Sequence, residues 1–386
     1  MIDIKAIDID KIPNELLDLP DSQFEDVSQA DSGDEIFKTK PIGFFKDAMI
    51  RLNKNKVSMA SLFFILLIVF MAIFAPNFNK YTYVQQHIEL RNMPPRIPGL
   101  EKLGIADGRK LLTLRQLSSV MNTELFPPDC IMEIRNERII AGVPVVDVLV
   151  DNYAYLGVKD VYFWFGSDYL GRDLFTRLFR GARISLFIAF FSVLTNLVIG
   201  LIYGAVAGYY GGKTDMLLMR IAEVLDGIPY LVVIMLFMML LGTGILSLII
   251  AMTITGWIGT ARLIRAQFYR FKGREYVLAA RTLGVPDLIL IFRHILPNSL
   301  GPIITRTMIA IPGAIFSEAF LAYIGLGLQA PETSIGVMLA DGQKVLLQSP
   351  YQTFFPAVLI SVLMISFNLF SNGLRDALDP TKRGED

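Results

Sequence analysis

Cysteine and histidine are nearly missing from this chain of 386 residues. A single cysteine, Cys130, excludes an intramolecular disulfide and any cysteine-built metal cluster. His87 and His294 have no neighbouring ligand pattern, so no metal site is assigned and each reads as a surface or loop residue. Net charge is absent too: 36 basic and 36 acidic residues give no global electrostatic case for nucleic acid. Residues 1–40 lack the basic start and apolar centre of a cleavable signal peptide. A phosphate-binding loop is missing as well. Gly212-Lys213-Thr214 ends like one, but Ala207 stands where a glycine is required and an apolar helix replaces the preceding strand, so a tight turn explains it. No nucleophile elbow, metalloprotease helix or carboxylate pair appears, and no catalytic residue is assigned.

Apolar residues are what the chain has in excess: 53% are hydrophobic and the mean hydropathy is +0.49, which few soluble proteins sustain over this length. Residues 1–45 form an acidic tail, read as disordered or as partner-binding. Residues 46–76 carry Lys46, Arg51, Lys54 and Lys56 and then a first span, Val57 to Pro76, which places the N-terminus in the cytoplasm. Residues 77–167 read as a small extracytoplasmic insert with Pro94, Pro95, Pro98, Gly99 and Gly104, and with strand-like pieces at Arg138 to Val150 and Val161 to Phe165. Asp173 to Arg183 is amphipathic at helical spacing and is expected to lie along the outer interface. Its arginines, with Arg172, run against the positive-inside tendency.

Five further spans follow at about 184–208, 216–241, 245–263, 302–322 and 355–373. Gly200, Gly204 and Gly208 give the second span a close-packing face whose partner the sequence leaves open. Arg220, Glu223 and Asp226 read either as a polar patch on a permeation path or as a salt-bridged helix end, the latter favoured, and Pro229 is expected to kink that helix. Glu318 either lines a pathway or bonds to loop backbone. Leu326 to Gly342, with its glycines and Pro331, reads as an ordered, partly re-entrant or interfacial segment. Six crossings return Arg375, Lys382 and Arg383 to the cytoplasm, and 381–386 is a short tail.

The loop at 262–300 is the most informative stretch. Its excess of arginine and lysine places it inside. The string from Arg274 to Asp287, continuing to Asn298, reads as two short helices with a punctuated joint, with Gly284 at the C-terminal cap of the first and Pro286 as a breaker. Asp287 is expected to cap a second helix, which Pro297 ends. A folded helical pair on a cytoplasmic loop points to a docking device. Ala279 and Ala280 permit close contact, Tyr276 and Leu283 offer apolar anchors, and Arg281 and Arg293 add charge.

This loop resembles the EAA loop of permease subunits in binding-protein-dependent ABC importers. Ala279, Ala280, Gly284, Leu296 and Pro297 match its pattern, while Leu278 replaces the glutamate, His294 stands at an isoleucine position, and Glu275 lies one turn earlier. The segments 166–173, 181–186, 292–298 and 374–380 look like the oligopeptide/dipeptide branch, and its C-type permease in particular. The resemblance spans about 45–380 and implies an all-α polytopic membrane protein with six transmembrane helices, the type I ABC importer permease fold, and a core at 168–380. It further implies a bacterial cell-membrane subunit that imports oligopeptides and has no ATPase site of its own. No cofactor would be bound by this chain. Two cytoplasmic ATPase subunits would use ATP and Mg, a second permease would complete the pore, and an extracytoplasmic binding protein would deliver peptide. Glu275, Tyr276, Ala279, Ala280, Arg281, Leu283, Gly284, Arg293, Leu296 and Pro297 would form the coupling loop, with Glu318 and Asp226 as candidates for the substrate pathway. The alternatives are a permease for dipeptides or nickel, an ion-gradient-driven transporter, and a scaffolding channel.

Overall fold

The computed structural model describes residues 43–158 and 160–379. The expected acidic and C-terminal tails, with Lys382 and Arg383, lie outside the described residues apart from 43–45. The chain divides after Asp47, and the larger unit runs from Ala48 onward.

Helix α1 (Phe44–Lys54) precedes α2 (Lys56–Phe74), which starts where the Asn55 side chain accepts a hydrogen bond from Ser58 N at 3.1 Å. The insert that follows holds a three-stranded antiparallel sheet in the order β1 (Arg109–Gln116), β3 (Val143–Asp151), β2 (Ile131–Ile140). Val146, Val148 and Val150 alternate onto one face and pack on Val120, Phe126 and Cys130. The strand expected over Arg138 to Val150 is two strands. Ala141 and Gly142 both take positive φ and form the two-residue turn that the twist of a hairpin favours. Val161 to Phe165 is not a strand but an irregular segment, held by Phe163, which is buried among Met93 and Tyr153. Each edge strand carries a bulge, with Leu114 and Asn136 at positive φ. The buried Asp147 carboxylate serves both: it accepts from Leu114 N, Asn136 Nδ2 and Arg138 at 3.0, 3.0 and 2.8 Å. These bonds, that from Asn136 foremost, hold it below the usual carboxylate range.

Helix α3 (Leu174–Tyr210) runs for 37 residues. The segment expected to lie flat along an interface is instead its first turns. Asp173 caps it by accepting from Thr176 N at 2.8 Å, and Leu174, Phe175, Leu178 and Phe179 are all buried. The apolar face packs on aromatic and apolar residues of the chain itself, among them Trp164 and Met338, which removes its reason to seek lipid. After a tight turn at Gly211 and Gly212, both at positive φ, come α4 (Gly212–Asp226) and α5 (Tyr230–Leu241), bent by 80° at Pro229, and then α6 (Ile245–Gly256) and α7 (Ile258–Lys272), bent by 43°. The fourth span therefore continues past residue 263 to Lys272. Helices α8 (Glu275–Thr282) and α9 (Asp287–Ile289) lead through a π turn (Leu290–Ile295) into α10 (Leu296–Leu321). An irregular stretch then reaches α11 (Ile335–Lys344), capped by Ser334, and α12 (Tyr351–Leu378) closes the bundle. Among the described residues, four helices are long and apolar enough to cross a membrane, and six if each bent pair counts as one span.

Helix α3 is the axis of the bundle. Gly200, Gly204 and Gly208 meet α7: a Cβ on Gly200 would lie 2.9 Å from Thr260 Cβ, and one on Gly208 would lie 2.6 Å from Phe268 Cβ.

Candidate functional site

The loop between α7 and α10 is a folded platform built on the chain's own core. Val277 and Ala280 of α8 point inward and pack with Ile264, Phe268, Leu290, Ile291 and Ile295. Helix α8 stops by a left-handed cap. Gly284 sits at φ +79°, its N–H donates to Arg281 O at 3.0 Å, and Val285 N–H donates to Ala280 O at 3.2 Å. A residue with a Cβ strains at that φ, which is why glycine stands there.

Two details differ from the sequence reading. Asp287 does not cap its helix; it lies in the first turn, after Pro286, and accepts a hydrogen bond from the Tyr209 hydroxyl. Pro297 does not end a helix either. Its ring removes one backbone donor, and the π turn just before it absorbs the misfit, so the helix runs on into α10. Asn298 Nδ2 donates to His294 O at 2.7 Å and to the Tyr276 hydroxyl at 3.1 Å, joining α8 to the start of α10. Burial raises the Tyr276 hydroxyl above the ordinary tyrosine value, so it stays protonated.

The platform is clamped to the rest of the bundle by charge. Arg265 of α7 forms a two-toothed pair with Asp215 of α4, which also accepts from Tyr269 at 2.9 Å. Lys272 Nζ donates to Gly208 O at 2.9 Å, at the C-terminal end of α3. The Arg281 guanidinium stands over the Tyr209 ring at 5.4 Å. Tyr209, Asp215 and Tyr269 were not picked out from sequence. Tyr209 is 78 residues from Asp287, so no local spacing announces the contact.

The ten coupling-loop candidates thus divide. Glu275, Tyr276, Ala279, Arg281, Leu283, Gly284, Arg293 and Pro297 are exposed, Leu296 is half-buried, and Ala280 is buried. Ala280 therefore contacts this chain's own core and offers no outward surface. Leu283 is 84% exposed, and Leu288 and Phe292, which sequence reading passed over, are exposed in the same loop.

The two pathway candidates lie elsewhere. Glu318 is fully buried in α10 and accepts from Ser185 of α3 at 2.8 Å, while the same hydroxyl accepts from Ile335 N at 3.1 Å. The carboxyl thus fixes the start of α11 against α3. Asp226 is exposed and pairs with Arg262 at 2.8 Å; Arg220 and Glu223, also exposed, pair at 3.0 Å. These two pairs fit the salt-bridged helix end.

At the insert end of α3, the arginines that ran against the charge rule all have partners. Asp168 is buried and binds both Arg172, at 2.7 Å, and Arg177, while its other oxygen accepts from Leu170 N and Arg172 N. Arg180 pairs with Glu332 at 3.3 Å. Arg183 donates to Ala72 O and Ile73 O at 2.9 and 2.7 Å, capping the last turn of α2. Asp168 and Glu332 offset part of this positive charge, while Arg183, bonded to neutral carbonyls, keeps its own.

Comparison with known proteins matches residues 43–95 to the N-terminal transmembrane domain of oligopeptide transport permease C. Residues 196–384 match the binding-protein-dependent transport system inner membrane component. The oligopeptide transport system permease protein OppC of Bacillus subtilis (strain 168) is 38% identical over 366 residues, 95% of this chain and 99% of its own. The dipeptide transport system permease protein DppC of the same organism is 37% identical over 372 residues, 96% of each. A solved inward-facing MetNI methionine ABC transporter chain aligns over 53% of this chain and 96% of its own, with a TM-score of 0.44 and 18% identity.

Proposed function

Since this chain belongs to the binding-protein-dependent transport permeases, in the branch of the OppC and DppC proteins, we propose that it is the membrane subunit of an ATP-driven importer of oligopeptides. The observation that carries the reading is similarity along nearly the whole length, insert included, to an oligopeptide permease. In this reading the loop end of the bundle and both termini face the cytoplasm, and the insert faces outward. A second permease subunit completes the pore, two ATPase subunits hydrolyse ATP with Mg, and a separate binding protein delivers the peptide. The chain itself is no enzyme and binds no cofactor.

The platform explains how force would enter. An ATPase surface grips the exposed tip at Tyr276, Leu283, Leu288 and Phe292, while Arg281 and Arg293 supply charge. Because Val277 and Ala280 are locked to α7 and to the turn before α10, displacement of α8 moves both helices together. The glycine contacts pass it to α3. Turning a two-state equilibrium from 1:99 to 99:1 takes about 5.5 kcal/mol of differential binding, which a packed lever transmits and a loose linker would dissipate. Leu283→Asp is the direct test of the grip, since it alters the surface and leaves the packing alone. We expect the assembled complex in proteoliposomes to lose at least about 90% of ATP-dependent uptake of a labelled oligopeptide. The cost is set by losing one apolar anchor of about 2 kcal/mol or more. Normal uptake by this variant would remove the tip from the mechanism. Uptake that survives ATP depletion and fails on collapse of the ion gradients would replace the whole reading with a gradient-driven transporter. Uptake of dipeptides or nickel with no oligopeptide transport would move the cargo to those alternatives.

A further inference from the structure

Three arginines from three helices open onto one cavity at the loop end of the bundle. Arg270 comes from α7, Arg306 from α10 and Arg375 from α12, and the space between them is about 450 Å³. Among the described residues, no ion pair engages any of these guanidinium groups. One carboxylate, Asp379, shares the lining, so cations outnumber it three to one. The rest of the wall is mostly apolar, with Pro302 and Ile309 of α10 and Leu378 of α12, and Thr305 adds one hydroxyl. Arg306 is exposed within the stretch of α10 that is apolar enough to span a membrane.

We propose that this cavity binds the phosphate headgroup of an anionic phospholipid. Charged groups at membrane depth persist when they meet a partner or reach the interface. Planar guanidinium groups are matched to phosphate oxygens. Basic pockets between transmembrane helices take anionic headgroups, and an acyl chain requires the kind of apolar wall found here. A soluble anion would use the arginines alone. The bound lipid bridges α7 and α10, the two helices that flank the loop, and ties both to α12. It therefore stiffens the joint through which the loop acts. The inference rests on membrane residence and not on the cargo, so its failure leaves the importer reading intact.

The test is native mass spectrometry of the purified full-length protein, with the subunits that accompany it, delipidated and then titrated with phosphatidylglycerol or phosphatidylcholine. Phosphatidylglycerol should be retained and phosphatidylcholine lost. Each of Arg270→Gln, Arg306→Gln and Arg375→Gln should lower phosphatidylglycerol occupancy about five-fold, the equivalent of about 1 kcal/mol per basic residue. Arg306→Lys should keep most of it. Circular dichroism of each variant separates loss of the site from loss of the fold. Equal retention by the triple glutamine variant overturns the proposal. So does equal retention of phosphatidylcholine, or displacement by inorganic phosphate at matched concentration, which would make the ligand a soluble anion. Absence of any lipid from the wild-type complex, with the arginines covered by another subunit, overturns it as well.

Discussion

Adding one methyl group at Gly208 should push α3 and α7 apart, whereas the same change at Gly313 should not disturb the bundle. A Cβ at position 208 would stand 2.6 Å from Phe268 Cβ, 2.8 Å from Arg265 O and 3.1 Å from Arg265 Cα. Two of these neighbours are backbone and the third is the root of a side chain, so no rotamer can relieve the clash. Ordinary contact begins at 3.4 Å, so α7 must retreat by about 0.8 Å or bend. Overpacking of this kind costs about 1–3 kcal/mol. Two of the three clashes are with backbone, which puts the cost in the upper half of that range, at about 2–3 kcal/mol; replacing glycine by alanine in a helix returns about 1 kcal/mol, which leaves a net loss of about 1–2 kcal/mol. At Gly313 nothing lies within 4 Å of the added atom, so the helix gain stands by itself. The two tryptophans of the chain report unfolding, and Trp257 stands at the α6–α7 bend beside the moving helix. In scanning fluorimetry of the purified protein, Gly208→Ala should melt several degrees below wild type and Gly313→Ala at or above it. If Gly208→Ala melts with wild type, or if both variants fall together, the close approach of α3 and α7 is not what holds the loop end in place.

Two further expectations concern the insert end of α3. Asp168→Asn keeps the shape of the side chain but leaves Arg172 and Arg177, both buried, without their shared counter-charge, at a cost of about 3–5 kcal/mol. The yield of folded protein after membrane extraction should fall steeply, and normal yield and melting would refute the account. Burial raises the Asp173 carboxyl from 3.8 to about 6. A raised acid binds its proton more tightly in the folded state, so stability falls as pH rises from about 4 to about 6 and is flat above. The loss totals about 3 kcal/mol. Asp173→Asn should remove that slope from melting curves taken across the window and raise the melting point at pH 8; a slope that persists unchanged would assign it to another group.

Much of the architecture was readable from local pattern. Val57 to Pro76 announced a span by length and apolarity, and α2 occupies it. Gly284 announced its cap because only a few residues accept positive φ. What sequence could not give were contacts fixed by distant partners. The run at 173–183 has the spacing of an interfacial helix, and nothing in it says that Trp164 and Met338 cover the apolar face. The glycines at 200, 204 and 208 declared a seam without naming α7. Pro297 looked like a terminator because a π turn leaves no mark in composition. Ala280 illustrates the limit within the loop itself: its small size serves inward packing as well as it would serve docking, and only the position of α8 on its core decides between them. Arg306 was passed over because one cation barely changes the apolarity of a long span.

Cys130 lies fully buried beneath the sheet of the insert, and burial raises its thiol above the ordinary value, which makes it a slow nucleophile. The native protein is thus a ready background for maleimide chemistry, with no residue to delete first. A cysteine introduced at Leu283 or at Ile139, 84% and 77% exposed, would be the one fast-reacting thiol in its molecule. Membrane-impermeant maleimide applied to whole cells and to inverted vesicles would then modify one position in each, and the pair would read out which face of the bilayer carries the loop and which the hairpin.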